Sequence, residues 1–421
     1  MLKITIHRGA HEIGGTCIQL STSKTTILLD LGLPLSAESK KINVASFQPD
    51  AVLISHPHQD HFGLIEKLPP ETPVYLGKLT KELIDATRMF LDMPLFTNNF
   101  KFYEKWQPFN LGDFRLTAYL VDHSAADAYG FLIEAEGKRL FYSGDFRGHG
   151  NKNKLFHKMI TDPPRDIDLL FMEGTMLERN NNEFPHERAV RDKIQRIIAR
   201  QENVSFLISS SQNIDRLVSA HNACVAKGKV FVIDFYTAWV LEKVKAVSTG
   251  ISAFKWDHIA VLASGFKSGR QYSIMQKQRG RLGSFINNVF DHTIKEEVIR
   301  ADPSRYLVLE KVSSVGRLVE SFRGNKPVNV IYSQWLGYLS PSNDDHHGAK
   351  AMDAYKCGDV PGVDFHYAHT SGHAPVEDLQ KYAAALKPKM LVPIHTEYGN
   401  KFNELFDCIV QIADNQVFTL Q

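Results

Sequence analysis

Apolar and polar residues alternate from the start of the chain. Leu2, Ile4 and Ile6 are separated by Lys3 and Thr5, the period of a half-buried strand. Residues 4–33 read as strands with glycine-rich turns, and His11-Glu12-Ile13-Gly14-Gly15-Thr16-Cys17-Ile18 is a tight turn between two of them. Thr25-Thr26-Ile27-Leu28-Leu29-Asp30-Leu31-Gly32 reads as a strand ending in an acid, and Ala51-Val52-Leu53-Ile54 is an unbroken apolar run that reads as a buried strand. Helical spacing covers residues 80–91, with Thr80 as its expected cap. Strand patterns return over 114–121 and 130–135. Glu136-Gly137 is then a hairpin turn, and 139–142 returns as a strand. The apolar run Leu169-Leu170-Phe171-Met172 ends on an acid, Glu173.

Near residue 180 the pattern changes. Arg179-Asn180-Asn181-Asn182-Glu183 is polar, and a helix is predicted over 187–200. From 205 to 333 strand and helix patterns alternate, which predicts a second α/β unit of roughly parallel type. A Ser/Gly-rich loop with His366, His369, Ser371, Gly372 and His373 follows. Beyond it lie a helix over 376–386, a strand over 389–394 and a last strand over 416–420.

The length of 421 residues allows two or three domains. Hydrophobic content of 43% and charged content of 23% are those of an ordinary globular protein. The first residues lack the apolar core of a secretion signal, and no apolar run approaches the roughly 18 residues of a membrane span. Cys17, Cys224, Cys357 and Cys408 are far apart and form no CxxC pair, so they read as reduced thiols of a cytoplasmic protein. A net charge of +2 decides nothing about nucleic acid, which leaves local patches to do so.

The densest chemistry is Ser55-His56-Pro57-His58-Gln59-Asp60-His61-Phe62-Gly63. Three histidines and one aspartate occupy six positions directly after a strand. Imidazole and carboxylate suit zinc and related divalent metals, and a loop at a strand end delivers them to the rim of a sheet. The spacing suggests two metals. His56 and His58 face one side of an extended loop, while Asp60 and His61 face another once the chain turns. Similar places recur: His123 follows the strand ending Tyr119-Leu120-Val121-Asp122, Asp145 follows Tyr142-Ser143-Gly144, and His395 follows Met390-Leu391-Val392-Pro393-Ile394.

Together these segments resemble the metallo-β-lactamase superfamily and, within its β-CASP branch, the ribonuclease J family. HPHQDHFG, VDHSAADAYGF, YSGDF, MEGT, HTSGHA and PIHTEYG stand in the order the family requires, across nearly the whole chain. The resemblance implies a four-layer αβ/βα sandwich with the metals at its edge, capped by an inserted α/β β-CASP domain. Residues 1–178 and 356–421 would form the sandwich and 179–355 the insert, with the substrate groove between them. It also implies a cytoplasmic, zinc-dependent exo- or endoribonuclease of RNA processing that cuts single-stranded RNA with a two-metal-activated hydroxide.

In the implied site His56, His58 and His123 hold one of two Zn²⁺ ions per chain, with Mn²⁺ or Mg²⁺ as substitutes. Asp60, His61 and His395 hold the other, and Asp145 bridges them. Asp30 occupies the place of a carboxylate that orients a ligand histidine. His373 is the implied general acid, positioned by Glu173, and Asp60 completes the catalytic set. His366 and His369 have no matching family role and read as structural. Ser211, Asn213 and Arg216 lie where the family uses a Ser/Asn/Arg loop near phosphate, an ordinary Asn-capped helix start being the other reading, and Ser371 and Gly372 join them as expected RNA contacts. Between Ile259 and Phe290 five basic residues (Lys267, Arg270, Lys277, Arg279, Arg281) occur without an acid, interleaved with Phe266 and Tyr272. This suits a groove that tracks a single strand with stacking, and equally an ordinary solvated basic face.

Two departures bear on these expectations. The family usually carries a further C-terminal domain that contributes oligomer contacts, whereas these 421 residues end soon after the last motif, and a homo-oligomer is compatible with the resemblance. Glu310-Lys311-Val312-Ser313-Ser314-Val315 stands where a glycine-rich stretch is expected, so end preference is not implied as firmly as nuclease chemistry. Two other readings fit parts of the same pattern. A hydrolase of DNA, or of small thioesters or lactams, would use the same metal core, but a small substrate needs neither the insert nor the last two motifs. A non-catalytic RNA-binding scaffold would have lost metal ligands, and none is lost.

Overall fold

Strand Leu2–Arg8 alternates buried and open positions along LKITIHR, so Leu2, Ile4 and Ile6 turn into a core. It lies inside a seven-stranded sheet whose order is Val417–Leu420, Leu2–Arg8, Cys17–Ser21, Thr26–Leu29, Ala51–Leu53, Pro73–Leu76, Asn99–Phe102. A second sheet of six strands runs Met390–Ile394, Leu169–Glu173, Lys138–Tyr142, Tyr129–Ala135, Phe114–Leu120, Pro108–Leu111. One hydrophobic cluster joins their facing sides, with Ile4, Ile18 and Leu29 from the first and Phe131, Leu140 and Phe171 from the second. The outer face of the first sheet (Leu28, Val52, Ile54) packs on Phe62, Ile65 and Ile84. The outer face of the second (Phe141, Leu170, Met172) packs on Phe156, Leu379, Tyr382 and Phe402. The result is a four-layer αβ/βα sandwich, because each sheet has two apolar faces to cover.

The structure is a computed structural model and describes residues 1–36, 39, 41–248, 255–263, 269–339 and 349–421. These fall into two compact units. The sandwich comprises Met1–Asp85, Leu95–Asn180 and Gly372–Gln421, and the second unit comprises Ala86–Pro94 and Asn181–Ser371. The second unit is built on a seven-stranded, all-parallel sheet in the order Thr293–Ile294, Ile259–Leu262, Val230–Ile233, Tyr306–Glu310, Ser205–Ile208, Val328–Tyr332, Val363–Tyr367. Its strands are nearly continuous apolar runs, as expected of a parallel sheet buried on both faces. Strand Val363–Tyr367, within the expected closing segment 356–421, belongs to this sheet because it pairs with Val328–Tyr332.

Thr80 is not the cap of its helix. The helix is Lys78–Phe90, and Asp127 from a distant loop accepts the Thr80 N–H at 2.7 Å through Oδ2. Among the described residues no helix is long and apolar enough to cross a membrane.

Candidate metal centre

The His-rich segment folds as Ala51–Leu53 running into a loop and the short helix Gln59–Phe62. Its backbone is pinned from the first sheet. Asp60 O accepts from Thr16 N–H at 3.1 Å, His61 O from Leu31 N–H at 2.8 Å, and Gln59 O from Leu33 N–H at 2.9 Å. Gly32 makes this crossing possible, since a Cβ there would lie 1.7 Å from Asp60 O.

The structure brings all seven expected ligands together. Ligand-type atoms of His56, His58 and His123 form one cluster, those of Asp60, His61 and His395 another, and Asp145 joins His56 and His61. His58 Nδ1 lies 3.1 Å from His56 Nε2 and 3.2 Å from His123 Nε2. A tetrahedral zinc with Zn–N bonds of about 2.0–2.1 Å has ligand–ligand edges of about 3.3–3.4 Å, so the first cluster fits that ion with little movement. In the second, His395 Nε2 and His61 Nε2 lie 3.3 and 3.7 Å from Asp60 Oδ2. Asp145 Oδ2 stands 3.1 Å from His61 Nε2 and 3.7 Å from His56 Nε2.

Every ring of the centre but that of His58 is oriented from behind. His61 Nδ1 donates to Asp30 Oδ2 at 2.7 Å. His123 Nδ1 donates to Gly372 O at 2.7 Å. Ser55 Oγ accepts from His56 Nδ1 at 3.0 Å and donates to Asp30 Oδ2 at 2.8 Å. Thr175 Oγ1 lies 2.8 Å from His395 Nδ1. These contacts place the protons on Nδ1 and turn the Nε2 lone pairs inward. His61 Nε2 is buried and makes no well-formed hydrogen bond, the condition of an atom shaped for a cation.

Electrostatics agree with that geometry. Burial, reinforced by neighbouring imidazoles, pushes His56 and His123 well below the ordinary imidazole value, and burial brings His58 down to about 4, so these rings are neutral donors. Burial opposes the charge on Asp145, but His395, His61 and His373 hold it well below the usual carboxylate range, and His61 and His395 do the same for Asp60. At His61 the carboxylates Asp145, Asp30 and Asp60 outweigh burial and raise the ring well above its usual value. The field therefore favours positive charge at this point, which a divalent cation would supply in place of the proton. The donor set fits two such ions.

His373 lies beside the cluster, with Nδ1 3.2 Å from Glu173 Oε1 and 3.8 Å from Asp145 Oδ2. Burial lowers its pKa, but Glu173 and then Asp145 outweigh burial and bring it up to about 8. Glu173 is fully buried and accepts from the N–H groups of Phe146, Thr175 and Ala374. It is a fixed anchor for the His373 ring.

The expected RNA contacts sit differently. Arg216 is fully buried in the second unit, with Nε 2.7 Å from Glu187 Oε1 and Nη1 2.8 Å from Ser333 O, so its guanidinium is already engaged and cannot meet a phosphate directly. Asn213 caps helix Ile214–Ala226 by accepting from Arg216 N–H, and Ser211 accepts from Thr237 Oγ1 at 2.8 Å. Ser371 N–H donates to Asn181 Oδ1 at 3.2 Å, and the Gly372 carbonyl is spent on His123. His366 and His369 bond Asn329 Oδ1 and Ser333 O in the second unit, as structural residues do. Of the basic segment, Phe266 and Lys267 lie outside the described residues, and Lys277 pairs with Asp92 at 2.7 Å.

Residues that the sequence motifs contain but to which they assign no role are Ser55, Tyr142 and Thr175. Tyr142 donates its hydroxyl to Asp30 Oδ2. All three lie inside the quoted segments, one to three residues from a ligand or from Glu173 at a strand end, which is the signal that could have assigned them.

A sandwich with this His/Asp cluster at the ends of its strands is the scaffold of a metal-binding superfamily, and the comparisons with known proteins agree. Residues 25–206 match the beta-lactamase superfamily domain, and residues 364–406 match the Zn-dependent metallo-hydrolase RNA specificity domain. Ribonuclease J of Helicobacter pylori is 20% identical over 424 residues, covering 95% of this chain and 56% of its own length. An RNase J-like protein of Methanocaldococcus jannaschii is 25% identical over 275 residues, 61% of this chain and 62% of its own. The chain thus spans little more than half the length of the curated relatives it matches. A crystal structure titled as a protein of unknown function from Enterococcus faecalis V583 shares the fold, with a TM-score of 0.76 at 20% identity over 100% of both chains. By these matches the chain resembles the metallo-β-lactamase superfamily, in its β-CASP branch, and is similar there to ribonuclease J.

Proposed function

We propose that this protein is a cytoplasmic ribonuclease that hydrolyses phosphodiester bonds of single-stranded RNA with two zinc ions. The observation that carries this reading is the position of Asp145, whose Oδ2 faces His56 and His61 at 3.7 and 3.1 Å and His373 at 3.8 Å. His56, His58 and His123 would hold one ion, and Asp60, His61 and His395 the other, with Asp145 shared. When bound, the two divalent cations supply Lewis acidity toward phosphate oxygens and lower the pKa of water to about 7.

The remaining chemistry belongs to side chains. Glu173 accepts from His373 Nδ1 and so orients the ring as the general acid that protonates the leaving oxygen. Asp60 stays ionised and orients beside His61 and His395. Asp30, with Ser55 and Tyr142 on its two oxygens, keeps His61 in one tautomer. Support for RNA as substrate comes from the match to an RNA specificity domain and from the ribonuclease J relatives.

The test offers zinc- or manganese-loaded protein 5′-labelled RNA and DNA with hydroxyl, mono- and triphosphate ends. Cleavage of RNA that stops on chelation supports the reading. Turnover of a thioester or lactam with RNA left intact overturns it.

A further inference from the structure

Behind the centre lies a group of charges that the proposed chemistry does not use. Asp122 and Arg147 are both fully buried, with Arg147 Nε 3.5 Å from Asp122 Oδ1. The Arg147 N–H also donates to Asp122 O at 2.7 Å, and the Gly150 N–H donates to Asp122 Oδ2 at 3.0 Å. Lys152 Nζ donates to His123 O at 2.8 Å and lies 4.0 Å from Asp122 Oδ1. The chain closes tightly over the pair: a Cβ on Gly150 would lie 2.4 Å from Asp122 Oδ1 and 2.5 Å from Arg147 Nε.

A buried ion pair is an expensive way to join two loops, because both charges leave water and gain only what their geometry returns. Here the geometry does something a hydrophobic contact would not. Asp122 directly precedes His123, and Arg147 comes two residues after Asp145. Each is held to the other by backbone and by side chain, so the distance between the two loops is set from both sides. Lys152 then fixes the carbonyl of His123 itself. The second cluster has separate supports: Asp60 and His61 hang on Thr16 and Leu31, and His395 on Thr175 and on Gly9 O, which accepts its N–H at 2.7 Å.

We infer that Asp122, Arg147 and Lys152 form a positioning clamp that holds His123 in register with Asp145 and so sets the metal affinity of the His56/His58/His123 cluster. The inference rests on the two-metal reading above. The three residues touch no substrate; they act through His123.

The experiment titrates the full chain with zinc against a chromophoric chelator, and records the visible spectrum of the cobalt-substituted protein. His123→Ala and His395→Ala mark which affinity belongs to which cluster. Asp122→Asn keeps the shape and removes the charge. Lys152→Met removes only an amine whose side chain is 27% exposed, and carries the test alone if Asp122→Asn does not fold. Both variants are expected to weaken the affinity marked by His123→Ala by about 10–100-fold, with the other unchanged and one of two cobalt absorptions lost. Lys152→Arg is expected to restore it. Wild-type affinity at both sites in Lys152→Met overturns the clamp, as does an equal fall at both, which would mean a packing defect. A wild-type chain that binds no metal at all overturns the two-metal reading, and the clamp with it.

Discussion

Thr175 and His395 meet across 220 positions of sequence, with Oγ1 2.8 Å from Nδ1, and the same hydroxyl donates to the His395 carbonyl at 3.3 Å. His395 has a left-handed backbone, φ 51°, which costs a non-glycine residue energy and needs outside support. Thr175→Val should therefore lower metal affinity at the Asp60/His61/His395 cluster by about 10–100-fold. Thr175→Ser should retain it. Competition with a fluorescent chelator reads both, and equal affinities for all three proteins would remove Thr175 from the site.

The purified protein is expected to carry close to two divalent cations per chain, given seven ligand residues at one centre. Because the unfolded chain has no preformed centre, bound metal stabilises the fold, by about 2.7 kcal/mol at a free concentration one hundred times Kd. Chelation should thus lower Tm, and zinc should restore it. Elemental analysis that finds no metal retained or rebound on folded protein would sink the assignment.

His373→Ala should keep both metals and lose about 10²–10⁴-fold in cleavage rate, the usual loss for a general acid. Glu173→Gln should move in the same direction, since it removes the anion that anchors Nδ1. Single-turnover rates at fixed metal content separate this from a binding defect. A His373→Ala protein as fast as wild type leaves His373 with a structural role only.

Gly32→Ala probes the crossing that shapes the His-rich loop. The new methyl would meet Asp60 O at 1.7 Å, so the loop or strand must shift. Destabilisation on the order of 1–3 kcal/mol is expected, as for overpacking elsewhere, together with reduced metal content. Denaturant unfolding and elemental analysis measure the two effects independently.

Single-stranded RNA should be cut well ahead of single-stranded DNA of the same sequence. His395 completes a metal cluster and does not read the 2′-OH, so the preference rests on the ribonuclease J relatives. Matched salt is essential, because phosphate binding falls steeply with ionic strength. Equal or faster cutting of DNA would overturn the assignment.

The ligand set was legible in the chain because the sheet architecture repeats one device. Apolar runs such as Ala51–Leu53 and Met390–Ile394 announce buried strands, and the polar residue just past each end must emerge at the same rim. Four ligands within six positions need no tertiary information to be recognised together. Period and run length likewise identified the strands on both sides of residue 180.

Only the tertiary structure decided what stands behind those ligands. Arg216 follows a Ser/Asn loop of the kind that greets phosphate, yet Glu187, 29 residues away, neutralises it in the interior. Thr80 has the sequence of a cap, and Asp127 does the capping. Asp122 and Arg147 are ordinary polar letters in the chain, and burial turns them into a charged clamp. A periodic pattern records which face of an element is apolar. It carries no record of which distant polar group closes on another once water is excluded, and in this protein those closures orient every histidine of the centre but His58.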